Sequence, residues 1–151
     1  MSQFSLGVAG IKQQTANLVE SYADNINSPF FPGPDYASLI TYPAGASHSS
    51  TQYDRLTSSN HYYDYLYTAL IIKELESQWL NAGYNISERP DVVTTLFNIG
   101  FSHSQPKSNP QMGGSTITIN GQSYSFGELG TLYYNSNQLT QVFALPISDT
   151  N

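Results

Sequence analysis

The sequence predicts a mainly α protein, formally α+β, with a helical body and one small β-hairpin near the C-terminus. Three observations lead there. Apolar residues recur at three- and four-residue spacing in separate segments, Asn120-Gly121 sits between two alternating stretches, and 151 residues suit one domain with one sizeable core. A chain of this size buries roughly 70% of the surface it exposes when unfolded. By composition the single domain 1–151 has a helical part, 1–101, which carries nearly all the charge. The rest, 102–151, is a polar part with the hairpin and a last helix, where Lys107, Glu128 and Asp149 are the only acidic or basic residues apart from His103.

The first helix is predicted from about Lys12 to Ala23, with Ile11, Thr15, Leu18, Val19 and Tyr22 at helical spacing. Residues 25–60 hold Pro29, Pro32, Pro34, Pro43, Gly33 and Gly45 among many Ser and Asn. That density of breakers predicts an irregular loop packed by Phe30, Phe31, Tyr36, Leu39 and Tyr42, and a loop so long is functional or disordered. A long helix is predicted from about Asn60 to Asn81, with Asn60 as its cap; about 22 residues would span roughly 33 Å. On a helical wheel Tyr62, Leu66, Ala69, Leu70, Trp79 and Leu80 share one side, and Tyr67, Ile71 and Leu75 occupy much of the other. This helix therefore reads as central and buried nearly all round. Lys73 and Glu76 fall in the apolar arc, where an unpaired charge is costly, so each is expected to pair with the other or with a polar partner elsewhere; Glu74 reads as exposed.

The third long helix is expected to start at Pro90, whose missing N–H costs nothing in a first turn, and to stop at Gly100, with Val92, Val93, Leu96 and Phe97 inward. Ser115 to Phe126 alternates polar and apolar residues about Asn-Gly, the signature of a two-stranded hairpin. Ser125 and Glu128 have capping-box spacing, which predicts a last helix through Leu129, Leu132 and Tyr133 to about Asn135. Leu139 to Leu145 is expected to dock as an extended segment.

Charged residues make up only 11% of the chain, and five Lys plus Arg against eleven Asp plus Glu give a net charge of −6. Phosphate backbones and anionic headgroups would repel such a chain, so no nucleic acid partner is expected. There is no cysteine, hence no disulfide and no thiolate metal site. No apolar run approaches the roughly 20 residues of a membrane span. The N-terminus has no basic segment followed by an apolar stretch. This chain is therefore read as cytoplasmic, exported by another route, or numbered from a processed or truncated start.

Two short signatures carry chemistry: Ser5-Leu6-Gly7-Val8-Ala9-Gly10-Ile11-Lys12-Gln13-Gln14-Thr15-Ala16 and Thr94-Thr95-Leu96-Phe97-Asn98-Ile99-Gly100. They resemble two motifs that line the glycan cleft of lysozyme-like lytic transglycosylases, a Ser-x-Gly-x-x-Gln-Ile-x-x-x-Thr-Ala segment and a Tyr-Asn-x-Gly motif, and the resemblance covers about residues 5–101. Ser5, Gly7, Ile11, Thr15, Ala16, Asn98 and Gly100 agree with the family pattern, whereas Gly10 stands where a glutamine is usual and Phe97 replaces the tyrosine. The resemblance implies a lysozyme-like fold and peptidoglycan or a related glycan as partner. It further implies Ser5, Gly7, Phe97 and Asn98 as substrate-binding positions, no cofactor, and a periplasmic or secreted setting. It also places the catalytic glutamate shortly before Ser5, on an upstream segment or another chain.

A lytic transglycosylase cleaves the β-1,4 bond with one carboxyl group, which protonates the leaving oxygen and then accepts the proton of the 6-hydroxyl as the anhydro ring closes. That calls for a glutamic acid of raised pKa in a partly apolar cleft. Within the chain Glu20 and Glu76 are the candidates, both weak: Glu20 reads as lying on a solvated helix face, and Glu76 as the partner of Lys73. Glu88 reads as helix-start charge and Glu128 as a cap. His48, His61 and His103 lack zinc-motif spacing and read as surface or loop histidines, so no metal is expected. Tyr62-Tyr63-Asp64-Tyr65 and Trp79 read as core first and as a sugar-stacking platform second. Gly113-Gly114 precedes a strand and cradles no phosphate, and Ser49 and Ser50 form no triad. Two functional classes follow. One is a peptidoglycan-related domain, an incomplete or degenerate transglycosylase that binds β-1,4-linked glycan, with or without cleaving it. The other is a non-catalytic structural or assembly protein of a secreted or phage-like particle.

Overall fold

A computed structural model of the chain describes residues 5–136 and 138. In order it contains α1 (Gln13–Ala23), α2 (Pro34–Ala37), α3 (His48–Thr57), α4 (Tyr62–Asn81), α5 (Pro90–Ile99), a 3₁₀ turn (Phe101–His103), β1 (Thr116–Ile119), β2 (Gln122–Ser125) and α6 (Phe126–Tyr134). The protein is mainly α with a C-terminal hairpin, as its periodicity predicts. The tail from Leu139 to Leu145 lies outside the described residues.

These elements fall into two compact units. Of the described residues, the first holds those up to Asn85 together with Gln105–Ser108; the second holds Ile86–Ser104 and those from Asn109 onward. In the first unit α1 packs on α2, α3 and α4, and α3 packs on α4. Its core comprises Ile11, Ala16, Val19, Ala23, Phe30, Leu56, Tyr67, Leu70, Ile71, Leu75 and Trp79.

The structure departs from the sequence expectations at several points. The stretch 25–60 is not all loop, because His48–Thr57 forms α3. Its sequence is rich in poor helix formers, and the helix is stabilised instead by burying Gln52 and Leu56, one turn apart, against α1 and α4. Nor is α4 buried nearly all round. It buries a stripe of Asp64, Tyr67, Leu70, Ile71, Glu74, Leu75 and Trp79, while Tyr62, Tyr65, Ala69 and Leu80 are exposed. Trp79, one turn after Leu75, belongs on the wheel with Tyr67, Ile71 and Leu75 rather than with Tyr62 and Leu80, and on a helix with apolar groups on several sides the neighbours α1 and α3 decide which side is inside. Glu74 is consequently the buried glutamate, and Glu76 is only half-buried. Lys73 does not pair with Glu76; its Nζ sits 5.6 Å from the centre of the Tyr36 ring. The α1 stripe also differs, running through Gln13, Ala16, Val19 and Ala23, with Leu18 at the surface. Asn60 does act at the start of α4, its Oδ1 accepting the Tyr62 N–H at 3.0 Å.

In the second unit the expected elements form. Pro90 opens α5, Gly100 ends it, and the hairpin pairs Thr116 with Ser125 through Ile119 with Gln122. Asn120 and Gly121 both take positive φ, 52° and 80°, the geometry of a two-residue hairpin turn. The capping box forms in both directions, Ser125 Oγ accepting the Glu128 N–H at 3.2 Å and Glu128 Oε2 accepting the Ser125 N–H at 3.3 Å. Helices α5 and α6 pack closely because α6 presents glycine. A Cβ on Gly127 would lie 2.7 Å from the Asp91 carbonyl oxygen, and one on Gly130 would overlap the Thr94 side chain.

Candidate functional site

The most developed polar cluster centres on Glu20. Helix α1 buries Ala16, Val19 and Ala23, so Glu20, one turn after Ala16, stands at the edge of the buried stripe with its side chain only 12% exposed. The sequence places Glu20 on a solvated face, and the structure corrects this: α3 and the loop before it cover that side. Three elements converge on its carboxylate. From the loop, the Tyr42 hydroxyl donates to Oε1 at 2.6 Å. From α3, Gln52 Nε2 donates to Oε1 at 2.9 Å and to Asn17 Oδ1 at 2.9 Å. From α4, the buried Tyr67 hydroxyl also donates to Oε1, while His48 Nε2 meets Oε2 at 2.5 Å.

Burial alone would raise the pKa of Glu20, but the hydrogen bonds from Tyr42, Tyr67, Gln52 and His48 outweigh it and hold the group below its ordinary range. Glu20 is therefore an ionised carboxylate at neutral pH. Burial and the bond to Glu20 push both tyrosine hydroxyls upward, so they stay protonated donors. Neutral His48 must carry its proton on Nε2, the nitrogen facing Oε2, an assignment made from the bonding pattern.

A stack orders the same residues. The His48 and Tyr42 rings lie 4.5 Å apart, and the Arg55 guanidinium sits 4.5 Å from the Tyr42 ring centre and 4.2 Å from that of Tyr63. Arg55 Nη2 also donates to the Thr41 carbonyl. Beside this cluster opens a cavity of about 120 Å³, lined by Glu20, Ala23, Asp24, Ala37, Ile40, Tyr42 and His48.

The residues expected to bind substrate fall in different units, Ser5 and Gly7 in the first and Phe97 and Asn98 in the second. Ser5 is exposed, next to a tight turn closed by pairing of Leu6 with Ile11. Gly7 has a packing role in that turn. Its φ is 63°, a Cβ there would fall inside the Asp64 carboxylate, and the neighbouring Val8 N–H donates to Asp64 Oδ2 at 3.0 Å. Asp64 is fully buried, with His61 Nδ1 3.6 Å from Oδ2. In the second unit Phe97 is half-buried, and Asn98 Oδ1 accepts the Ser115 N–H at 2.7 Å, tying α5 to the start of the hairpin. Asn98, Ile99, His103, Gly114 and Ser115 line an open groove of about 440 Å³.

Of the two candidate acids, Glu20 belongs to the cluster and Glu76 does not. The glutamate with a raised pKa is Glu74, pushed up to about 9 by burial, with both oxygens enclosed and unbonded. Sequence reasoning missed Tyr42, His48, Gln52 and Tyr67 as partners of Glu20. The available signal was the Gln52–Leu56 spacing, which marks a helix face inside the supposed loop.

Among the described residues no group of three or more His, Asp or Glu could hold a metal ion, and no helix is long and apolar enough to cross a membrane. No family model, no curated protein and no solved structure matches the chain.

Proposed function

We propose that the chain is a peptidoglycan-directed, lysozyme-like domain that binds β-1,4-linked glycan without cleaving it through any of its described carboxyl groups. The observation that carries this reading is the state of Glu20 and Glu74. A glycosidic leaving oxygen needs a carboxylic acid that keeps its proton near neutral pH and can reach the substrate. Glu20 reaches the cavity but is held ionised by four donors, while Glu74 keeps its proton but is sealed from solvent. Cleavage, in this reading, draws its acid from an upstream segment or a second chain. Glycan binding is supported by the two signatures, by the Tyr42 ring and hydrogen-bonding groups at the first unit's cavity, and by the neutral polar groove beside Asn98.

The test is incubation of the chain with purified peptidoglycan, scoring co-sedimentation and the release of anhydro-muropeptides by mass spectrometry. Binding without anhydro products is expected, with Tyr42→Ala weakening it. Release of anhydro products by this chain alone would return a catalytic role to one of its carboxyls, and absence of binding would sink the glycan reading. The alternative of an assembly subunit draws on α6, which exposes Leu132, Tyr133 and Tyr134 together. Light scattering after size exclusion separates the two readings, since only an assembly subunit forms oligomers through that face.

A further inference from the structure

We infer that Glu20 and His48 form a general-base dyad that activates water for hydrolysis of short acyl esters seated in the adjoining cavity. Glu20 Oε2 holds His48 Nε2 at 2.5 Å, the ring of Tyr42 lies against the imidazole at 4.5 Å, and Nδ1 has no partner among the described residues. A carboxylate that fixes one imidazole nitrogen leaves the other as a lone pair of defined direction and stabilises the imidazolium that forms on proton uptake. His48 is 53% exposed and lines the cavity, so the imidazole meets water there. The donors on Glu20 keep the orienting group charged throughout, because Tyr42, Tyr67 and Gln52 occupy Oε1 and leave Oε2 to His48.

The step balances with water alone. Water oxygen attacks the ester carbonyl carbon while its proton passes to His48 Nδ1. The tetrahedral intermediate then collapses, the bond to the alcohol oxygen breaks, and that oxygen takes the proton back from Nδ1. One ester and one water become a carboxylic acid and an alcohol, and the dyad is restored. The oxyanion that appears in between needs donors. Helix α3 begins at His48 with no side-chain cap, so first-turn backbone N–H groups beside the imidazole are not taken by a capping side chain. The cavity size selects the substrate: about 120 Å³ holds the volume of about four waters, room for an acetyl or propionyl group and the attacking water, with Ala23, Ala37 and Ile40 as apolar walls. Asp24 and Glu20 repel the carboxylate product and favour its release.

This activity does not depend on the glycan reading, and its test uses no glycan. The full chain is incubated with p-nitrophenyl acetate, and nitrophenol release is followed over many turnovers in H₂O and D₂O. Saturable hydrolysis that slows in D₂O, and that falls off from acetate to octanoate, is expected. His48→Asn lowers kcat by about 100-fold or more, the scale of a lost general base. Glu20→Gln, a positioning change, lowers kcat with KM unchanged. Because Glu20→Gln removes a network centre and can unfold the unit, the exposed His48→Asn, checked by circular dichroism, carries the decision. No saturable turnover, no D₂O effect, or an unchanged rate in folded His48→Asn overturns the dyad.

Discussion

Glu20 and Glu74 show how one side-chain type is driven in opposite directions by its surroundings. Glu20, with four donors, has a folded pKa below the ordinary 4.5 of a glutamate, so the stability it contributes is present above about pH 4.5 and is lost as pH falls through the folded value. Removing one donor should expose this. Tyr67→Phe is expected to cost about 1.5–3 kcal/mol, the scale of a bond to a charged group, and to shift acid unfolding, followed by tryptophan fluorescence, to higher pH. Glu74 has a folded pKa of about 9 against 4.5, so burying its neutral form is least costly below pH 4.5 and stability is lost as pH rises toward 9. Replacing this unbonded acid by Leu should therefore stabilise the protein at pH 7 by about 1–3 kcal/mol, read by urea denaturation. A melt at pH 7 in which Glu74→Leu is less stable than the parent would mean that the carboxyl has a partner. Neither glutamate's state was readable from its own position. Glu20 required knowing that Tyr42, His48, Gln52 and Tyr67 arrive from three elements, and Glu74 required knowing which side of α4 is inside.

At the level of elements, the contrast between α3 and α5 is instructive. Helix α5 has Pro90, a stop at Gly100 and Val92, Val93 and Leu96 at helical spacing, so local signals and packing agree. Helix α3 has none of these and exists through tertiary contact, with Leu56 fully buried. Leu56→Ala is accordingly expected to cost about 2–5 kcal/mol and to release α3, visible as loss of helical ellipticity. Between α5 and α6 the determinant is close approach. Gly127→Ala would gain up to about 1 kcal/mol in helix propensity. The added methyl, however, meets the Asp91 carbonyl at 2.7 Å, and backbone cannot swing aside as a side chain can. A net loss of about 1–2 kcal/mol is expected from thermal melting, since overpacking costs about 1–3 kcal/mol.

For the whole molecule, the opposed titrations of Glu20 and Glu74 predict a stability maximum on the acid side of neutrality. Stability should fall below about pH 4.5 as Glu20 gains its proton, and decline from there toward pH 9 as the unfolded chain alone can ionise Glu74. A series of melting temperatures across this range checks the shape, and Glu74→Leu should flatten its alkaline limb. A maximum between pH 7 and 9 would contradict the assignment of Glu74 and leave that of Glu20 untouched. The low charge and absence of cysteine leave packing and neutral hydrogen bonds to hold the units, which is why single enclosed carboxylates weigh so heavily in this profile.

The sequence by itself determined the fold class, the positions of α1, α4, α5 and α6, the Asn120-Gly121 hairpin and the capping box at Ser125, because each is encoded within a few consecutive residues. Only the tertiary structure decided that His48–Thr57 is a helix, that Glu74 rather than Glu76 is buried, and that Glu20 is the centre of a polar cluster. The physical reason is common to all three. Burial and hydrogen bonding are properties of pairs of elements. The residues that meet at Glu20 lie 22 to 47 positions away along the chain, beyond the reach of any periodic pattern.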